Sequence, residues 1–171
     1  MKRTQIISKF LFLIFRILSV IYGLLVIYSA FCLLTGIFTT PYGDGKFLHI
    51  NYPFTQNPLM NIDDNWSYIL FSFLLPLTLY AVFFYLASKV FLVFLQGKLF
   101  TERNVKILRQ FYFVNLFIPL PLVLISSLFV EVEFIVWLLV LVHFVLGIFI
   151  FFLSEIFMQG VKLQNEQDLI I

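Results

Sequence analysis

Few charged or ionisable side chains stand inside the apolar stretches of this chain. Those that do are the first candidates for chemistry, because ionising a group within a bilayer is costly. His143 is the tenth residue of the otherwise unchargeable run Phe134–Ser154. Arg16, Lys89 and Glu155 lie near the ends of three such runs, at matching depth on one side. The chemistries open to this set are proton transfer at His143, ion pairing at Glu155 and headgroup contact by the two cations. A proton relay calls for further carboxylates at depth, and the runs contain none. Pro119 and Pro121 deprive the carbonyls of Asn115 and Phe117 of their helical partners. A neutral His143 donating to one of these, or to a neighbouring hydroxyl, would fasten two helices together. Lysine and arginine stems can snorkel to the interface, whereas a glutamate stem is too short. Glu155 is therefore expected to pair with Arg16 or Lys89.

The remaining inventory argues against catalysis. There is no P-loop, no dinucleotide-binding glycine pattern, no zinc spacing and no serine elbow. His49 and His143 fall at different levels and cannot share a metal. Cys32 is the single cysteine, so no disulfide framework exists. No catalytic residue, cofactor or metal ligand is expected, and the expectation is that the protein is not an enzyme.

Four elements must position these groups. Of 171 residues, 62% are apolar, 20% aromatic and only 12% charged. A soluble domain is about one quarter charged, so composition excludes a soluble fold, a disordered chain and a basic nucleic-acid-binding domain. Ile17–Phe38, Trp66–Ser88, Phe111–Val130 and Phe134–Ser154 are each long enough to cross a hydrocarbon core, which takes about 20 helical residues. Unbroken apolar runs mean helices rather than barrel strands, whose polarity alternates. The expected fold is all-α: a single polytopic membrane domain with four transmembrane helices in an antiparallel bundle, over about 10–38, 66–96, 102–130 and 134–159. Gly23, Gly36 and Gly147 mark places where helices would approach closely. The first helix is read as uncleaved, since its apolar run is too long for a signal peptide. Ten of the eleven Lys and Arg residues fall on one side of these spans, with Lys46 alone opposite among five acidic residues. By the positive-inside rule both termini face the cytoplasm, and the expected location is the inner, cytoplasmic membrane.

The connections are short. In the extracytoplasmic loop 39–65, Tyr42-Gly43-Asp44-Gly45 reads as a tight turn whose flanks can pair as a hairpin. The loop is expected to rest on the helix ends or to remain mobile. Asp64 or Asn65 is placed to cap the second helix, with Trp66 and Tyr68 in the aromatic belt. On the other side, Gly97 is suited to end the second helix, Thr101 to cap the third, and Phe100 with Val105 to staple that cap. Gly160 should loosen the end of the fourth helix before a polar cytoplasmic tail, 160–171, that closes on Leu169-Ile170-Ile171. Such a tail can fold back onto the helices or offer itself to a partner.

Two stretches resemble a known family. Gly97-Lys98-Leu99-Phe100-Thr101-Glu102-Arg103-Asn104 is similar to the G-x-x-F-T-x-x-N element of the bacterial domain-of-unknown-function 2975 proteins. The stretch from Gly160 to Ile171 is similar to their closing G-x-x-L-x-x-E-x-D-L-T-[IV], with Ile170 in place of the threonine. The resemblance extends along the whole chain in helix number and length. It implies a small membrane protein often encoded beside a helix-turn-helix transcription regulator. The expected function is then regulatory, with that regulator held at the membrane by Thr101, Asn104, Glu166, Asp168 and Leu169. No direct contact with nucleic acid is expected. A small transporter or channel, built as a homodimer or larger homo-oligomer, is the alternative. A stress or immunity protein without catalysis is not separable from the first reading.

Overall fold

The computed structural model describes residues 2–168 of the backbone, and side chains over 3–167. The chain is mostly helical, and four helices are long and apolar enough to cross a membrane. Helix α1 is Lys2–Thr35, α2 is Trp66–Val93, α3 is Glu102–Ser126 and α4 is Phe134–Asp168. Helices are the form expected of such runs, because each satisfies its backbone hydrogen bonds within itself. Helix α1 packs along α2 and α3 along α4, with a smaller α2–α3 contact joining the pairs.

Between α1 and α2 lies a three-stranded antiparallel sheet, β1 (Thr39–Tyr42), β2 (Phe47–Asn51) and β3 (Pro58–Asp63), in that order. The hairpin expected around Asp44 is present, with Tyr42 opposite Phe47. Gly43, Asp44 and Gly45 all take positive φ in its turn. The third strand corrects the all-α expectation. Its alternation is short and opens on Pro58, which a strand tolerates at its first position. The sheet rests on the helices: Ile50 and Cys32 are fully buried together with Ile62 and Ile69. The Tyr28 hydroxyl donates to the Asn51 carbonyl at 2.6 Å.

The main core lies at the opposite end, where Val90 and Val93 of α2, Val105 and Leu108 of α3, and Phe157 and Val161 of α4 are buried together. Two expected helix ends differ here. Helix α2 stops at Val93, short of Gly97, and the amides of Leu95 and Gln96 just beyond it turn back to the carbonyls of Leu92 and Val93. Gly97 is absent from the positive-φ glycines, whereas Gly36, at φ 71, closes α1 and donates to the Cys32 carbonyl. Helix α4 does not loosen at Gly160 but runs on to Asp168. A Cβ at Gly160 would stand 2.5 Å from the Phe100 ring, so this glycine makes room for the α2–α3 loop instead of ending a helix. Gly147 is likewise a point of close approach, 2.7 Å from Leu116 by the same measure, while Gly23 and Gly36 face open space.

Candidate functional site: a cleft between α2, α3 and α4

At the sheet end the same three helices separate and leave a cleft of about 420 Å³. Its shape follows from interrupted backbone. Pro76 in α2 has no N–H to give the carbonyl four residues back. The helix accommodates it with a π-helical segment over Ile69–Leu74, in which the Leu75 amide reaches Leu70. Such segments recur at functional sites. In α3, Pro119 interrupts the ladder at Ile118, splitting the helix into Glu102–Phe117 and Pro119–Ser126. Both interruptions border the cleft, through Phe71, Ser72 and Pro76 on one wall and Ile118 and Pro119 on another. Phe71, on the cleft wall, stacks on Phe129 beyond the end of α3, 4.8 Å apart and 4° from parallel.

His143 of α4 lies at the deep end. Its Nδ1 is 2.7 Å from Asn115 Oδ1. The Asn115 Nδ2 donates to the Phe111 carbonyl at 2.8 Å, which only accepts, so the amide orientation is fixed. Asn115 Oδ1 must therefore accept, and His143 Nδ1–H must donate. Phe83 meets the imidazole edge-on at 5.0 Å, and Tyr80 flanks it at 6.1 Å. His143 thus fastens α4 to α3 as expected, but through a side-chain amide and at the floor of a cavity. At the mouth stand three carboxylates, Asp63 from the end of β3 and Glu131 and Glu133 from the α3–α4 connection, all exposed. Sequence reasoning counted these acids for topology and did not bring them together with His143. The available signal was three mid-helix prolines on two helices.

The charged groups of the other end pair differently from expectation. Arg16 and Lys89 do not meet Glu155; both stand over the Tyr85 ring, at 5.0 and 4.3 Å. Glu155 is instead 4.0 Å from Arg109 of α3, both side chains about half exposed. Tyr85 offers the two cations a ring face, an attraction that takes the place of a carboxylate. Arg109 lies on the helix that packs along α4, whereas Arg16 and Lys89 belong to the other helix pair.

The two sequence stretches singled out by resemblance meet in space. The Phe100 ring packs on Gly160 and lies edge-on to Phe157 at 5.3 Å. Thr101 caps α3, its hydroxyl accepting from the Asn104 amide at 3.2 Å. Asn104 is fully buried, and its Nδ2 donates to the carbonyls of Lys98 and Leu99. This corrects its assignment as a partner contact, since a buried amide that shapes its own loop has no surface to offer. Glu166 is exposed on the α4 extension, as are Lys162 through Gln167. Asp168 ends the helix, its side chain outside the described residues, and Leu169 lies outside them altogether.

Four apolar helices of spanning length, with a cleft between three of them, define a multi-pass membrane protein. The chain belongs to the family described as "Protein of unknown function (DUF2975)", whose pattern matches residues 46–171. The match begins at Lys46, so α1 and β1 lie outside it, although both resembling stretches lie within. Neither the curated proteins nor the solved structures compared with the chain gave a match.

Proposed function

We propose that this protein is a non-enzymatic regulator of the cytoplasmic membrane, which takes up a small molecule in the cleft and holds a cytoplasmic helix-turn-helix regulator on its α4 extension. The observation that carries this reading is the continuity of α4. One helix supplies His143 to the cleft floor and continues without a break to Asp168. At 1.5 Å per residue its 35 residues reach about 52 Å, some 20 Å beyond a hydrocarbon core. The positive-inside distribution supports an antiparallel bundle with both termini in the cytoplasm. On that topology the cleft opens outward and the exposed face bearing Leu163 and Glu166 stands in the cytosol. A ligand acts on the partner only by favouring one of two arrangements of α4 against α3. Glu166, Asp168 and Leu169 are the proposed contacts, with Thr101 holding the adjoining loop.

The test is co-purification with a small helix-turn-helix regulator from membranes. Full-length protein is expected to retain it, and deletion of Gln164–Ile171 to release it. Retention after the deletion, or no such regulator at all, contradicts the proposal. One observation favours a second reading, a homo-oligomeric transporter: helices interrupted beside a substrate cavity are a feature of carriers, and α2 and α3 are both interrupted at the cleft.

A further inference from the structure

We propose that the cleft is a binding site for an amphipathic organic cation, whose apolar part fills the space between α2, α3 and α4 and whose charge is held at the mouth by Asp63, Glu131 and Glu133. The inference rests on the reading of the cleft as a ligand site and names what enters it.

Size and lining come first. A volume of about 420 Å³ lies within the roughly 300–1,000 Å³ of small-molecule sites, which are mostly apolar with a few placed polar groups. The walls here fit that description, with Leu79, Leu122, Val136 and Val140 among the aliphatic surfaces. The rings of Tyr68, Phe71, Tyr80 and Phe83 also border the space, and ring faces attract cations. Among the described residues, no lysine or arginine lines it.

Charge then selects the occupant. Among the described residues, none of the three mouth carboxylates lies within 4.0 Å of a basic group. Lys46, the one basic residue that the topology puts on this side, binds the β3 end through its backbone carbonyl, which accepts from the Asp64 amide. Its side chain is not part of the lining. An anionic amphiphile would have to pass three like charges beside low-dielectric walls, where they act most strongly. A lipid acyl chain could fill the walls but would leave the carboxylates uncompensated. A cation with an apolar body answers both features. At the floor the Nδ1–H of His143 is already engaged by Asn115, so this donor does not compete with such a ligand.

The experiment uses the full chain in phosphatidylcholine nanodiscs, whose lipid carries no net charge. Radiolabelled tetraphenylphosphonium is the cationic probe, and triphenylphosphine oxide, a neutral molecule with a similar aryl body, is the competitor. Asp63→Asn/Glu131→Gln/Glu133→Gln removes the charge at three exposed positions with near-isosteric side chains. Val140→Trp fills the cavity and leaves the charge in place. Saturable cation binding is expected, with the neutral analogue a poor competitor. The amide variant should weaken binding at least tenfold and abolish its salt dependence, and the filled variant should lose it. Equal competition by the neutral analogue, with no effect of the amide variant, overturns the cation proposal while leaving the cleft a ligand site. Binding that survives Val140→Trp but not the amide variant places the cation on the surface and also overturns it. Absence of saturable binding to monodisperse wild-type protein does so too. None of these readouts depends on a cytoplasmic partner, so the regulatory reading stands or falls separately.

Discussion

At the scale of single residues, Gly147 and Gly160 both make room for a neighbour on another element, but the neighbours differ in rigidity. The three atoms nearest a Cβ at Gly160 all belong to the Phe100 ring, and a phenyl ring can tilt. Gly147 is bordered by the Leu116 side chain and, at 3.3 Å, by its backbone nitrogen, which moves only with its helix. Overpacking costs about 1–3 kcal/mol, more where the neighbour is rigid. Gly147→Ala is therefore expected to destabilise the protein more than Gly160→Ala in detergent unfolding titrations. Only the Gly160 variant should regain stability when Phe100 is shortened to Leu. Equal losses, or recovery of neither, would contradict this account of the two contacts. His143 shows what sequence discloses about a polar group. Its presence at depth was evident, as was a bond to another helix. Its partner atom was not, because the prolines point to freed backbone carbonyls, whereas the bond goes to the Asn115 side-chain amide, which Phe111 orients.

At the scale of elements, the α2–α3 loop is built by its own side chains. The Thr101 cap, the Asn104 bonds to Lys98 and Leu99, and the Phe100 contact with α4 all serve to fold it. Loss of an N-cap side chain costs about 1 kcal/mol, and serine caps as well as threonine. Thr101→Ala should lower stability by about that amount and Thr101→Ser should restore it, both read from unfolding midpoints. A neutral Thr101→Ala would mean the cap contributes nothing. Capping was legible because it obeys local rules of spacing, as at Thr101 and at Asn65, whose side chain accepts from the Ser67 amide. The ends of α2 and α4 were not: Gly97 and Gly160 both read as helix stops, yet α2 ends before the one and α4 runs through the other, which makes room for Phe100. The third strand escaped for a related reason, its partner β2 being available only once the hairpin has formed.

At the scale of the whole molecule, four spans and their family follow from apolar run lengths and two short patterns. The cleft does not follow, since it is a gap left where three helices diverge around Pro76 and Pro119, and no single run of residues encodes a gap. Charge asymmetry nonetheless makes a claim about the entire assembly: the acidic mouth and the α4 extension lie on opposite faces of the membrane. Cysteine labelling tests it directly. In a Cys32→Ser background, Asp44→Cys, Lys98→Cys and Asn165→Cys are treated with a membrane-impermeant maleimide, before and after permeabilising intact cells. Labelling of Asp44→Cys in intact cells, with the other two reacting only after permeabilisation, is the predicted result. Reaction of Asp44→Cys and Asn165→Cys under the same condition would contradict it.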